Sequence, residues 1–172
     1  MSERRTKRSK ADFVFAKNKL VVLSNNGMTA RQKKASPACI VASSGVSEGC
    51  TTWKVTIQKE CGACLNVGVV ANKGQIDPEQ HMDNITRHVL FCYNGFLESN
   101  GKLEPSELKI PPEGIPEGGE VFCRLNMEEK KLLFSLDGQA WAKGFDLREG
   151  ETYFPYFHIF GNDIEITLTK LD

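Results

Sequence analysis

The chain reads as an all-β protein: a two-layer antiparallel β-sandwich with little or no helix. Three observations predict this. Apolar and polar residues alternate with period two along most of the chain, helical periodicity is nearly absent, and turn-forming residues interrupt the alternation where hairpins need them. Many short strands with no helices between them favour a sandwich over an α/β fold.

The elements follow in order. Residues 38–42 form a short continuous apolar run, as expected of a strand buried on both faces. In residues 52–58, Trp53, Val55 and Ile57 share one face, while Lys54, Thr56 and Gln58 share the other. Leu65, Val67 and Val69 repeat the pattern, and 89–93 is a second continuous apolar run. Val121, Cys123 and Leu125, then Leu132, Phe134 and Leu136, and finally Ile164, Ile166 and Leu168 complete the inward-facing sets.

Turn chemistry separates these runs. Asp137-Gly138 is a hairpin signal because glycine tolerates positive φ. Asn25-Asn26-Gly27, Ser43-Ser44-Gly45 and Ser99-Asn100-Gly101 mark further turns. Residues 111–119, with three prolines and three glycines, are expected to form a surface loop between two strands. The one helical signal is short, with Asp77 as N-cap and Pro78 at the first helical position.

At 172 residues, with 40% apolar and 26% charged residues, the chain has the composition of one globular domain. No run approaches the ~18 consecutive apolar residues of a spanning helix. The N-terminus is basic and lacks the apolar core of a secretory signal. The zero net charge hides an asymmetry. Residues 1–36 carry ten Lys/Arg against Glu3 and Asp12, a balance of +8, so residues 37–172 sum to −8. Residues 1–11 are expected to be a basic flexible leader, and 12–172 the folded domain. The leader has no interleaved aromatics, which argues against single-strand nucleic-acid binding. Six cysteines without a secretion signal are expected to be reduced thiols. Cys61-Gly-Ala-Cys64 has redox or zinc spacing, but a strand follows it rather than the helix a redox site uses. No second close cysteine pair is present to complete a zinc site.

No catalytic constellation emerges. There is no G-x-S-x-G, no phosphate-cradling glycine motif, and no catalytic context for His81, His88 or His158. His158, inside an aromatic run, is expected to be half-buried and structural. Sandwich glycosidases need paired carboxylates facing a cleft. Asp163 and Glu165 have i, i+2 spacing, but Ile164 and Ile166 take the inward phase, so both acids face solvent. The reading is a non-enzyme with no cofactor and no metal.

Four stretches together resemble a SPRY domain, a concanavalin-like jelly-roll sandwich. They are Gly49-Cys-Thr-Thr-Trp53-Lys-Val-Thr-Ile57; Val67-Gly68-Val69; Val121-Phe-Cys-Arg-Leu-Asn-Met-Glu-Glu-Lys-Lys-Leu-Leu-Phe-Ser-Leu-Asp-Gly138; and Tyr153-Phe-Pro155 followed by Phe160-Gly161 and Ile164-Glu-Ile166. The resemblance covers about residues 13–170. Lys54 stands where the family has an acidic residue, Asn126 where many members have Asp, and Gly119-Glu120 where the family has Gly-Asp.

The resemblance implies a protein-interaction module that takes a short peptide or loop of a partner at loops along one edge of the sandwich. It could serve as the substrate-recognition part of an adaptor or ubiquitin-ligase assembly. By position, Phe160 and Gly161 match the family's pocket-lining aromatic–glycine element, and Ser43, Ser44, Gly45 and Val46 match an early contacting loop. Asn162 adds an amide able to bond a peptide main chain. Trp53, Val55, Phe134 and Leu136 are assigned to the core, and Trp141 is either core or an exposed anchor. The expected partner is a protein or peptide, with no small-molecule substrate and no membrane. Nucleic acid would engage only the leader. The chain is expected to be a cytoplasmic monomer, with nuclear entry open through the leader. The alternative is a carbohydrate-binding lectin, which would call for exposed aromatics beside Asn162-Asp163 and a calcium site.

Overall fold

The computed structural model describes residues 13–33, 37–59, 65–71, 86–161 and 163–172. Among these, the strands are β1 (Val21–Ser24), β2 (Thr29–Gln32), β3 (Ala38–Val41), β4 (Cys50–Lys59), β5 (Leu65–Ala71), β6 (Arg87–Phe91), β7 (Phe96–Ser99), β8 (Lys102–Pro105), β9 (Glu120–Asn126), β10 (Lys131–Leu136), β11 (Ala142–Asp146), β12 (Tyr153–Ile159) and β13 (Glu165–Lys170). They form a seven-stranded sheet, β1-β2-β13-β4-β9-β10-β11, and a six-stranded sheet, β3-β12-β5-β6-β7-β8. Neighbouring strands are antiparallel throughout. The all-β sandwich is the architecture the alternation predicts. The Cys61/Cys64 pair, the Asp77 helix signal and the leader lie outside the described residues.

Alternation sets the core. Trp53, Val55 and Ile57 of β4, Val121, Cys123 and Leu125 of β9, and Ile166 and Leu168 of β13 are fully buried between the sheets. Phe13 closes one end, its ring meeting Trp53 edge-on at 5.8 Å. Strands β3, β5 and β6 are buried on both faces. Their outward residues Cys39, Val70 and Val89 join Tyr156 in a second apolar cluster behind the six-stranded sheet. The two continuous apolar runs foretold this for β3 and β6. For β5 the second face, Asn66, Gly68 and Val70, is covered as well, with the polar Asn66 buried in it.

Two turn signals behave as expected. Asn25, Asn26 and Gly27 all take positive φ between β1 and β2, and Asn100 and Gly101 do so between β7 and β8. Two other readings need correction. Ser43-Ser44-Gly45 does not reverse the chain. Ala42 donates to Pro155 O at 2.9 Å and Val46 bridges Tyr153, so the segment bulges away from β12 and returns to it. The 111–119 loop is not wholly a surface feature either. Ile115 enters the core, held by its N–H on Cys92 O at 3.3 Å.

Candidate functional site

Alternation along β12 produces the main feature. Tyr153, Phe157 and Ile159 point into the core, so Phe154, Tyr156 and His158 point outward, and Phe160 continues that phase. The result is an aromatic row about 20 Å long, at roughly 3.3 Å per residue. Tyr156 is fully buried in the middle and donates its hydroxyl to Cys39 Sγ at 3.2 Å. Burial raises the phenol pKa well above its ordinary value, with the Cys39 contact adding to it. Phe154, His158 and Phe160 are half-buried.

The sequence-matched residues fall at the two ends of this row. At one end, Val46 and Tyr153 exchange both backbone hydrogen bonds, at 2.7 and 2.9 Å. Gly45 sits against Phe154: a Cβ there would lie 2.8 Å from the ring. Ser43 is exposed, its N–H held on Val14 O at 2.8 Å, and Ser44 is half-buried. Val46 is only 7% exposed and packs in the core, so it supports the loop through its backbone. At the other end, the Phe160 ring lies 5.0 Å from that of His158, and Gly161 follows, half-buried. Asn162 lies outside the described residues. The two groups are therefore separated by about seven residues of strand, on the order of 23 Å. They do not converge on one shallow pocket.

Asp163 anchors the second end, a role the sequence did not reveal. It takes φ +61° and accepts two bonds from Arg31, Nε at 2.6 Å and Nη2 at 3.0 Å, plus one from Lys59 Nζ. These hydrogen bonds hold its carboxyl down to about 2. Its place in a clamp explains why Asp163-Ile164-Glu165 is no carboxylate dyad. Arg31 and Lys59 are 132 and 104 residues away in sequence, and no local motif signals such partners.

Other singled-out residues resolve in turn. Trp141 is half-buried, with the Arg124 guanidinium 4.1 Å above its ring. The substituted positions Lys54 and Glu120 form an ion pair between β4 and β9, and Thr56 Oγ1 donates to the same Glu120 oxygen at 3.2 Å. Asn126 accepts the N–H groups of Glu128 and Glu129 at 3.1 and 3.0 Å, the task an Asp carboxylate would perform in that turn. His88 is buried between the sheets, its ring 5.0 Å from Phe145 and its Nδ1 2.9 Å from Ser99 Oγ. Burial, with Arg148 adding to it, lowers its pKa to about 4.

Among the described residues, no group of three or more His, Cys, Asp or Glu side chains is placed to hold a metal ion. Nor is any helix among them long and apolar enough to cross a membrane.

No family model matches the chain, and no curated protein matches it by sequence. Solved structures do match it. The SPRY domain of human HERC1 superposes with a TM-score of 0.71 at 20% identity, covering 88% of this chain and 93% of that one. The TRIM65 PSpry domain gives 0.65 at 16% identity, covering 93% and 90%. Stonustoxin gives 0.66 at 16% identity, covering 92% of this chain but 27% of the toxin chain. Nothing in these matches favours the lectin alternative. The chain has the fold of a SPRY domain.

Proposed function

We propose that the chain is a non-catalytic protein-interaction module that captures a short extended segment of a partner protein. The observation that carries this reading is the aromatic row on β12, with a loop at each end. Aromatic faces supply contact area at low entropic cost, and the rigid strand beneath fixes their spacing. Ser43, Ser44 and Gly45, supported by Val46, form one contact point. Phe160, Gly161 and Asn162 form the other, where glycine lets a partner backbone approach closely. In this reading residues 12–172 are the folded module and 1–11 a solvated basic leader. The chain works as a monomer inside the cell, without cofactor, membrane or nucleic acid. A role in substrate recognition for an adaptor or ubiquitin-ligase assembly fits such a module.

The test is a lysate capture with mass spectrometry, comparing wild type with Phe160→Ala/Gly161→Arg at matched thermal melts. A protein held by wild type and lost from the folded variant supports the reading. Equal retention by both removes this end of the row from the site.

A further inference from the structure

We propose that Asn66 on β5 reads the main chain of the partner segment, accepting one of its N–H groups and donating to one of its C=O groups. This inference rests on the β12 reading and adds to it what the segment must carry opposite β5.

The register puts Asn66 on the face that carries the aromatic row. Leu65, Val67 and Val69 enter the core, and Val70 joins Tyr156 in the cluster behind the sheet, so Asn66, Gly68 and Val70 face outward. Asn66 pairs across the ladder with His158 on β12 and with Phe91 on β6. Each flanking ring has a second ring beside it. Phe160 lies 5.0 Å from His158, and Tyr93 stacks on Phe91 at 5.8 Å with 18° between the planes. The amide therefore stands between two aromatic pairs, one of them the end of the β12 row.

Its hydrogen bonding is incomplete. Asn66 is only 7% exposed, and its Oδ1 is buried with no donor bonded to it. A buried acceptor left unpaired costs the desolvation of that group, and native structures rarely keep one. Asn is also a poor strand residue, and a mid-sheet position covered on both faces suits Val or Ile better. The fold gains nothing from this oxygen. Trp53 Nε1 is unpaired too, but it is enclosed between the sheets, whereas Asn66 lies on the outer face.

The surroundings define the donor. Oδ1 is neutral and set among rings, where stripping water from an ammonium or guanidinium is costly, so it calls for a neutral N–H. An Asn side chain carries an acceptor and a donor, the complement of a peptide unit. Rotation about its soft terminal torsion turns the amide towards a main chain lying over β5. Strands β12 and β6 lie about 9.6 Å apart across β5, so a main chain that reaches Asn66 between the two ring pairs has room for only a small side chain there. The segment thus carries Gly or Ala over Asn66, with larger apolar residues on either side to cover the rings.

The test pans a random dodecapeptide phage library on the full chain as wild type, Asn66→Val, Asn66→Ala and Phe160→Ala/Gly161→Arg, each confirmed as folded by thermal melt. Wild type should enrich peptides with Gly or Ala between larger apolar residues, and both Asn66 variants should bind them at least tenfold more weakly. Asn66→Val should melt no lower than wild type. A lower melt in both Asn66 variants would make the amide structural and overturn the proposal. In a synthetic peptide of the enriched class, each main-chain amide is then replaced in turn by an ester, which removes the N–H. One replacement should weaken binding to wild type at least tenfold and to Asn66→Ala less than twofold. Equal ester costs in the two proteins would overturn the proposal. Peptides lost from the Phe160 variant but held by both Asn66 variants would also overturn it, and would leave the β12 reading standing. Peptides lost from the Asn66 variants but held by the Phe160 variant would keep Asn66 in the site and remove Phe160 from it. No enriched class on wild type would overturn the β12 reading, and this inference with it.

Discussion

Gly45 and Phe154 are in contact where no larger side chain fits: a Cβ on Gly45 would stand 2.8 Å from two ring atoms of Phe154 and 2.7 Å from Thr152 Cγ2. The contact seats the 43–45 bulge on one end of the aromatic row. It joins a loop read as an isolated turn to the strand that carries the proposed site. Gly45→Val should therefore displace the ring or the loop, at a cost of about 1–3 kcal/mol typical of overpacking. Chemical denaturation should show a lower midpoint with an unchanged slope, whereas Gly49→Ala, where nothing lies within 4 Å but φ is +70°, tests backbone strain without crowding.

The Asp163 clamp has a pH signature. Its carboxyl titrates near 2 in the folded chain against an ordinary 3.8. A depressed carboxylate stabilises the fold above its unfolded pKa, and that contribution fades as pH falls through the folded value. Asp163→Asn should melt below wild type at pH 7, with the difference shrinking between about pH 4 and pH 2. A difference that stays constant over that window would mean the carboxylate charge is not what holds the turn.

His88 acts with the opposite charge logic. Its folded pKa of about 4 lies below the ordinary 6.5, so the buried ring favours the neutral form. Its contribution is complete above pH 6.5 and is eroded as pH falls towards 4, by an amount on the order of 3 kcal/mol at full protonation. Thermal melts of wild type should lose stability across pH 6.5 to 4, and His88→Gln should flatten that slope. Parallel profiles for the two proteins would assign the acid loss to other groups.

The described cysteines should differ sharply in reactivity. Cys39, Cys92 and Cys123 are buried, and burial pushes the Cys123 thiol far up, while Cys50 is exposed. Iodoacetamide on the native chain should label Cys50 well before those three, which should react only on unfolding. Peptide mapping by mass spectrometry reads this directly, and early labelling of Cys123 would mean that the sandwich opens there.

Much of this architecture was legible in advance because period-two alternation reports burial directly. The inward faces of β4, β9, β10 and β13 could be named residue by residue. Ser43-Ser44-Gly45 was harder, since the same small polar residues suit a reversal and a bulge, and only the bonds of Ala42 and Val46 to β12 separate the two. Ile115 hid inside a proline-rich loop whose composition speaks for solvent exposure. The Arg31–Asp163–Lys59 clamp joins three distant parts of the chain, so no spacing rule could find it. The β12 row is written in residues 153–160, yet the resemblance marks only Phe160 of its outward aromatics as pocket-lining, because the side-by-side placement of Phe154, His158 and Phe160 follows from strand phase rather than from any motif.

The most direct measurement is site-specific photo-crosslinking with p-benzoylphenylalanine placed at Ser44, at Phe160 and, as a control on the other sheet, at exposed Lys143. One partner protein should crosslink from both Ser44 and Phe160. Two points about 23 Å apart along the strand require a partner segment of at least seven or so extended residues. Lys143 should give no such product. A partner captured equally from Lys143, or from neither end of the row, would rule out capture along β12.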